Sequence, residues 1–191
     1  TESAGTTVRF REAGDNPGAW GEEIVGHGDD LSRTALFRVE SWDDSKAWEY
    51  RIDHPDAAES WTGLIRRNPV GRKEVTLLAV ACLNDKGFPY FAAVERIRQQ
   101  DPDILFFAGD QIYESNGGFD IVEARTPEEV PAAMKNYLRK WWYFGMTFRD
   151  LMRDRPSILI PDDHDVYSND LWGDGGKFMT GSRTSGGYPM H

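Results

Sequence analysis

The chain has 191 residues, 39% hydrophobic and 28% charged, which places it with ordinary folded proteins and outside disordered or collagen-like compositions. Its 22 basic side chains against 32 acidic ones give a formal charge of −10, which argues against a duplex nucleic-acid binder and against a polybasic membrane anchor. No stretch approaches the ~18 consecutive apolar residues of a membrane span, and a single cysteine rules out an internal disulfide framework.

In chain order, residues 34–42 and 47–53 alternate large apolar and polar side chains, predicting two strands joined by a hairpin loop from Trp42 to Ala47. Glu59 to Ile65 predicts a third strand, ended by Asn68 and Pro69. This is the pattern of a small antiparallel sheet. The aromatics Phe37, Trp42, Trp48 and Tyr50 are read as sheet packing, with a carbohydrate platform as the alternative.

The pattern changes at residue 74. Glu74 to Cys82 holds a continuous apolar run, as expected for a strand covered on both faces. Pro89 to Gln100 carries Phe91, Val94 and Ile97 at helical spacing, and Asp101-Pro102 stops that helix. Asp103 to Ala108 is a second buried strand, so the unit is strand, helix, parallel strand. Thr126 and Glu129 have capping-box spacing, and Pro131 makes the first turn of the following helix irregular. That helix runs through Tyr137, Leu138, Trp141, Trp142 and Phe144, with a further turn over 147–153. Pro156 breaks it, and Ser157 to Ile160 is a third short buried strand. The expected organisation is a β-rich segment over 1–70 followed by an α/β domain over 71–191. Gly181 to His191 is polar and glycine-rich with no closing element, and is read as a fragment boundary.

Each apolar strand is followed by residues able to hold a metal: Cys82 and Asn84; Asp110, Tyr113 and Glu114; Asp162, Asp163, His164 and Asp165. In open parallel sheets, ligands collect beyond the carboxyl ends of the strands, so the three tips are expected to share one cleft. Gly109 permits an unusual backbone turn before Asp110, whose carboxylate could bridge two cations. Taken alone, Asp110 fits a simple turn, Tyr113 an ordinary core tyrosine, and Cys82 a buried inert thiol. Three carboxylates around His164 repel one another unless solvent or a cation compensates.

With these residues in place, the segments Pro102 to Glu114, Tyr137 to Tyr143 and Pro161 to Tyr167 resemble the PhoD-like metallophosphatases of the calcineurin-like metallophosphoesterase superfamily. The resemblance covers roughly residues 74–175. It implies the first half of a metallophosphoesterase β-sandwich with flanking helices, preceded by a small antiparallel β-rich segment. In it, Asp110 matches the aspartate that bridges two metals, Tyr113 the tyrosine that binds iron, Cys82 the cysteine in place of the superfamily's first aspartate, and Asp163 a metal ligand beside the catalytic His164. Asn84, Asp165 and either Asn169 or Asp170 are further ligands or supporting residues. The superfamily's later metal-binding histidines have no counterpart here.

The resemblance also implies two or more metal ions, iron(III) with calcium or else zinc or manganese, and hydrolysis of a phosphate-ester substrate. It implies export by the twin-arginine route, although Thr1 to Gly5 lacks the pattern of a secretion signal. The competing expectations are a non-catalytic fragment with an incomplete site and a metal- or carbohydrate-binding module. A nucleotide-binding role is disfavoured, because no Gly-x-Gly-x-x-Gly joins strand to helix.

Overall fold

The computed structural model describes residues 5–30, 32–83, 88–113, 122 and 126–166. The chain divides into two compact units, Thr1–Val75 with Arg153–Pro156, and Thr76–Met152 with Ser157–His191. Together they mix helices with antiparallel and parallel sheets, the α/β class expected.

The first unit holds β1 (Thr7–Glu12), β2 (Ile24–Val25), β3 (His27–Asp29), β4 (Thr34–Leu36), β5 (Trp48–Asp53) and β6 (Trp61–Ile65). β2, β1, β5 and β6 form one antiparallel sheet in that order, and β3 pairs with β4 separately. The expected hairpin between residues 34–42 and 47–53 therefore does not form. β5 pairs instead with β1, Phe10 opposite Tyr50, and with β6, Tyr50 opposite Gly63.

The reason lies in the loop before β5. Asp43 Oδ1 accepts the Ser45 amide and hydroxyl, and the Trp48 indole donates to the Asp43 carbonyl at 2.9 Å. Such a side-chain turn competes with an extended ladder. The Trp42 ring packs 5.2 Å from Phe10 and 5.3 Å from Trp48, so these aromatics serve packing. Arg153–Pro156 joins this unit through specific bonds: Tyr50 donates its hydroxyl to the Arg153 carbonyl at 3.0 Å, and the Leu64 amide donates to Asp154 Oδ1.

At the end of β5, Asp53 Oδ1 accepts the Ser60 hydroxyl at 2.5 Å and the Arg51 guanidinium at 2.9 Å. The Ser60 bond first, and Arg51 second, hold the Asp53 carboxyl below its ordinary value of 3.8. A depressed carboxyl stabilises the fold above its unfolded pKa, and that stabilisation fades as pH falls through the lower, folded value. Ser60→Ala is therefore expected to move the Asp53 titration upward toward the ordinary value. A carboxyl-carbon NMR titration checks this, and an unmoved Asp53 overturns it.

The second unit holds β7 (Leu77–Val80), α1 (Phe91–Gln100), β8 (Ile104–Ala108), a 3₁₀ turn (Pro127–Glu129), α2 (Val130–Met152), β9 (Ser157–Ile160) and α3 (Asp163–Val166). β7, β8 and β9 form a parallel sheet in that order, with Leu77 opposite Ile104 and Ala108 opposite Ile160. The core gathers Leu105, Phe107 and Ile112 against Phe144, Phe148 and Leu151. Phe107 meets Phe144 and Phe148 edge-on at 5.1 and 5.2 Å. The buried positions of α2, at Ala133, Asn136, Lys140, Phe144, Phe148 and Leu151, follow the helical period.

Several expectations are corrected here. β7 and β9 are not covered on both faces: Leu77, Ile158, Leu159 and Ile160 are between 41% and 53% exposed. Only the central β8 has alternate residues fully buried, since it is flanked by strands on both sides, whereas successive residues of the edge strand β9 are exposed on both faces. On α1, Val94 and Ile97 pack against the core, whereas Phe91 is 79% exposed. The capping box is not made, since the Thr126 side chain does not cap the helix and bonds Glu128 instead. α2 then runs unbroken to Met152.

Candidate metal centre

Because β7, β8 and β9 are parallel, their carboxyl ends leave the sheet on the same edge. Beyond the strands, the Cys82 amide donates to the Gly109 carbonyl at 3.2 Å and the Leu83 amide to the Asp110 carbonyl at 2.9 Å. These two bonds keep the first and second tips side by side. Both candidate ligands there have left-handed backbones, with φ of 54° at Cys82 and 53° at Asp110. Such conformations cost of order 1 kcal/mol or more for a residue with a side chain, and they concentrate where function demands them. Gly109, at φ 96°, meets a second constraint: a Cβ built there would stand 2.6 Å from the Asp162 Cβ.

The buried Asp110 carboxylate is the hub. Its Oδ2 accepts the Tyr113 hydroxyl at 2.9 Å and the Cys82 thiol at 3.5 Å. Its Oδ1 is buried and accepts no hydrogen bond among the described residues. Asp110, Asp163 and His164 each offer a ligand atom within 4.8 Å of the other two. His164 Nε2 lies 4.0 Å from Asp163 Oδ2, and the His164 ring packs 4.3 Å from the Tyr113 ring. The Tyr137 hydroxyl on α2 donates to the His164 carbonyl at 3.3 Å.

This arrangement suits a cation. A buried carboxylate oxygen without a partner is costly, and neighbouring carboxylates disfavour one another's charge. A bound ion removes both penalties and supplies the largest local charge. Oxygen, imidazole and thiol donors together match a transition-metal site. Burial above all, then the bond to Asp110 and that carboxylate's charge, pushes the Tyr113 phenol well above its ordinary range. An ion at the hub acts in the opposite direction, favouring the phenolate.

The tips thus bring together Cys82, Asp110, Tyr113, Asp163 and His164. Cys82 is exposed, which corrects its reading as a buried thiol, and it lies outside the three-residue set while touching Asp110. The four polar residues after β9 do not act as one cluster. Asp162 is exposed and accepts the Asp163 amide, while Asp165 is buried and turned to the backbone. Asp165 Oδ1 accepts the Ile112 amide at 3.1 Å and its Oδ2 the Asp162 amide at 3.0 Å. Burial pushes its carboxyl up, against the lowering by those backbone donors. Asn84, Asn169 and Asp170 lie outside the described residues. Tyr137 and Gln111 lie within the motifs that carry the resemblance, which assigns them no role. Only their burial and partners, at His164 and at Ile160, reveal one.

A profile of the PhoD-like phosphatase family matches residues 77–188, more than half of the chain. The chain belongs to the PhoD-like phosphatase family. PhoD-like phosphatases are metal-dependent and hydrolyse phosphate esters, and every described candidate ligand falls within the matched residues. Among curated proteins and among solved structures, none matches the chain. No helix among the described residues is long and apolar enough to cross a membrane.

Proposed function

We propose that this PhoD-like phosphatase hydrolyses phosphate esters at a two-metal site built on Asp110. The observation that carries the reading is the buried Asp110 carboxylate, whose Oδ1 has no hydrogen-bond donor among the described residues and which offers an oxygen within 4.8 Å of ligand atoms of Asp163 and His164. Cys82, Asp110 and Tyr113 would hold one ion, and Asp110 with Asp163 would help hold the second. Iron(III) with calcium is the pair the family resemblance favours, with zinc or manganese as the other candidates. Bound ions supply an acidified water and offset charge on the phosphoryl oxygens.

The chain's own side chains do the remaining work. Asp110 would hold the donors together, since its carboxylate accepts the Tyr113 hydroxyl and the Cys82 thiol and lies near Asp163 and His164. His164 carries a proton to the departing alkoxide oxygen, a task open to an imidazole, whose ring nitrogens can hold and release a proton. Its ring is steadied by the Tyr113 ring and its backbone by the Tyr137 hydroxyl, which limits its motion during transfer. The β-rich 1–70 segment is proposed as a separate module ahead of the 71–191 domain, and the enzyme as extracytoplasmic.

Elemental analysis of the purified protein, paired with hydrolysis of bis-p-nitrophenyl phosphate, tests this reading. The expected result is stoichiometric metal and turnover that a chelator abolishes and added metal restores. Turnover indifferent to thorough chelation overturns the metal mechanism, and a metal-replete protein with no turnover overturns the enzyme.

A further inference from the structure

The β8–β9 ladder ends at the pair Ala108 and Ile160, two residues short of Asp110 and three short of Asp163. Past that pair, the two loops are held together by side chains. The Gln111 amide donates from Nε2 to the Ile160 carbonyl at 2.8 Å, reaching from the first loop onto the last residue of β9. Asp165 reaches the other way, accepting the Ile112 amide on Oδ1, while its Oδ2 accepts the Asp162 amide of its own loop. Gln111 is 1% exposed and Asp165 6%, so water does not compete for these bonds.

We propose that Gln111 and Asp165 form a reciprocal clasp that holds the Asp110–Tyr113 loop against the Asp163–His164 loop. Both are positioning residues for the metal-binding set, and the inference rests on the metal reading of that set. The chemistry is specific at each position. Gln111 must be a donor, because a carboxylate in its place would set oxygen against the Ile160 carbonyl. Asp165 must offer two acceptors, because each of its oxygens takes a different backbone amide. The Gln111 Oε1 is buried and has no hydrogen-bond partner among the described residues. An apolar side chain of similar length removes that unpartnered oxygen, which offsets the loss of the Nε2 donor to the Ile160 carbonyl. Stability and positioning are separable at this residue.

The test uses Gln111→Met, Asp165→Asn and their combination, with manganese(II) as the calorimetric probe and amide hydrogen exchange on the metal-free protein. Each single variant is expected to bind manganese(II) about 10–100-fold more weakly, the range for residues that orient ligands. Melting of Gln111→Met should stay close to wild type. In that variant the Ile112 and Asp162 amides, which the Gln111 side chain does not bond, should exchange about 10-fold faster once the intrinsic rate is corrected for the changed neighbouring side chain. The double variant should lose no more affinity than the worse single one, since either half opens the clasp. Wild-type exchange at Ile112 and Asp162 in Gln111→Met overturns the clasp, as do fully additive losses. Should Gln111→Met fail to fold, Asp165→Asn with unchanged Ile112 exchange overturns it equally. A wild-type protein that binds no manganese(II) and hydrolyses no phosphodiester sinks the metal reading, while the exchange arm still decides the clasp.

Discussion

Asp110→Asn is expected to abolish metal binding and phosphodiester hydrolysis together, while leaving the metal-free protein at least as stable as wild type. The two signs come from one cause. Without an ion, Asp110 is a buried carboxylate with one oxygen unpartnered among the described residues and with Asp163 close by. Asparagine has nearly the same shape, keeps an acceptor for the Tyr113 hydroxyl and removes the charge. Relief of that penalty is worth about 1 kcal/mol. With an ion, the lost charge is decisive. Two unit charges 4 Å apart interact by about 4 kcal/mol at an effective dielectric of about 20. That equals roughly three orders of magnitude in a binding constant. Calorimetry, turnover and thermal melting of the metal-free variant read the three quantities. Hydrolysis near the wild-type rate refutes the hub role, and a marked loss of metal-free stability refutes the account of its burial.

Gly109→Ala comes next in size and acts through backbone alone. At φ 96° a side chain strains the tip of β8, and the new Cβ strikes the Asp162 Cβ at 2.6 Å and approaches the Asp162 nitrogen at 3.4 Å. Neither neighbour is the far end of a flexible chain, so the loop bearing Asp163 and His164 has to move. The left-handed backbone costs about 1–2 kcal/mol and the overpacking about 1–3 kcal/mol, for a loss of roughly 2–5 kcal/mol in stability. A displacement of about 1 Å at the donors is worth roughly 100-fold in rate. Asp162→Gly in the same chain removes the atom that is struck, so it should recover part of both losses. Denaturant melts and turnover of the single and double variants check this. Full activity in Gly109→Ala, or no recovery in the double variant, contradicts the close-approach argument.

Elements with strong local patterns are legible in the sequence. β8 and β9 stood out as short apolar runs ended by Gly109 and Pro161, and α1 ends where Asp101-Pro102 predicts. The first unit was harder. Val8 and Phe10 alternate with polar residues over β1 as well as any later segment does, while residues 37–42, whose pattern predicts a strand, form none. A period-two pattern says that a segment can be a strand but not which partner it meets. The Asp43 turn and the Phe10–Trp42–Trp48 packing made that choice.

What the sequence by itself determined is the chemistry on offer: a thiol, carboxylates, a phenol and an imidazole, each set just past an apolar strand. Donor type belongs to each side chain alone, so it survives without coordinates. Which donors meet was decided only in three dimensions, by parallel pairing of β7, β8 and β9 and by left-handed backbone at Cys82 and Asp110. Tertiary structure also separated Asp163 and His164, which face Asp110, from Asp165, which turns to the Ile112 amide. Neighbours in sequence end up facing different partners because one short turn of helix, Asp163–Val166, points successive side chains in different directions.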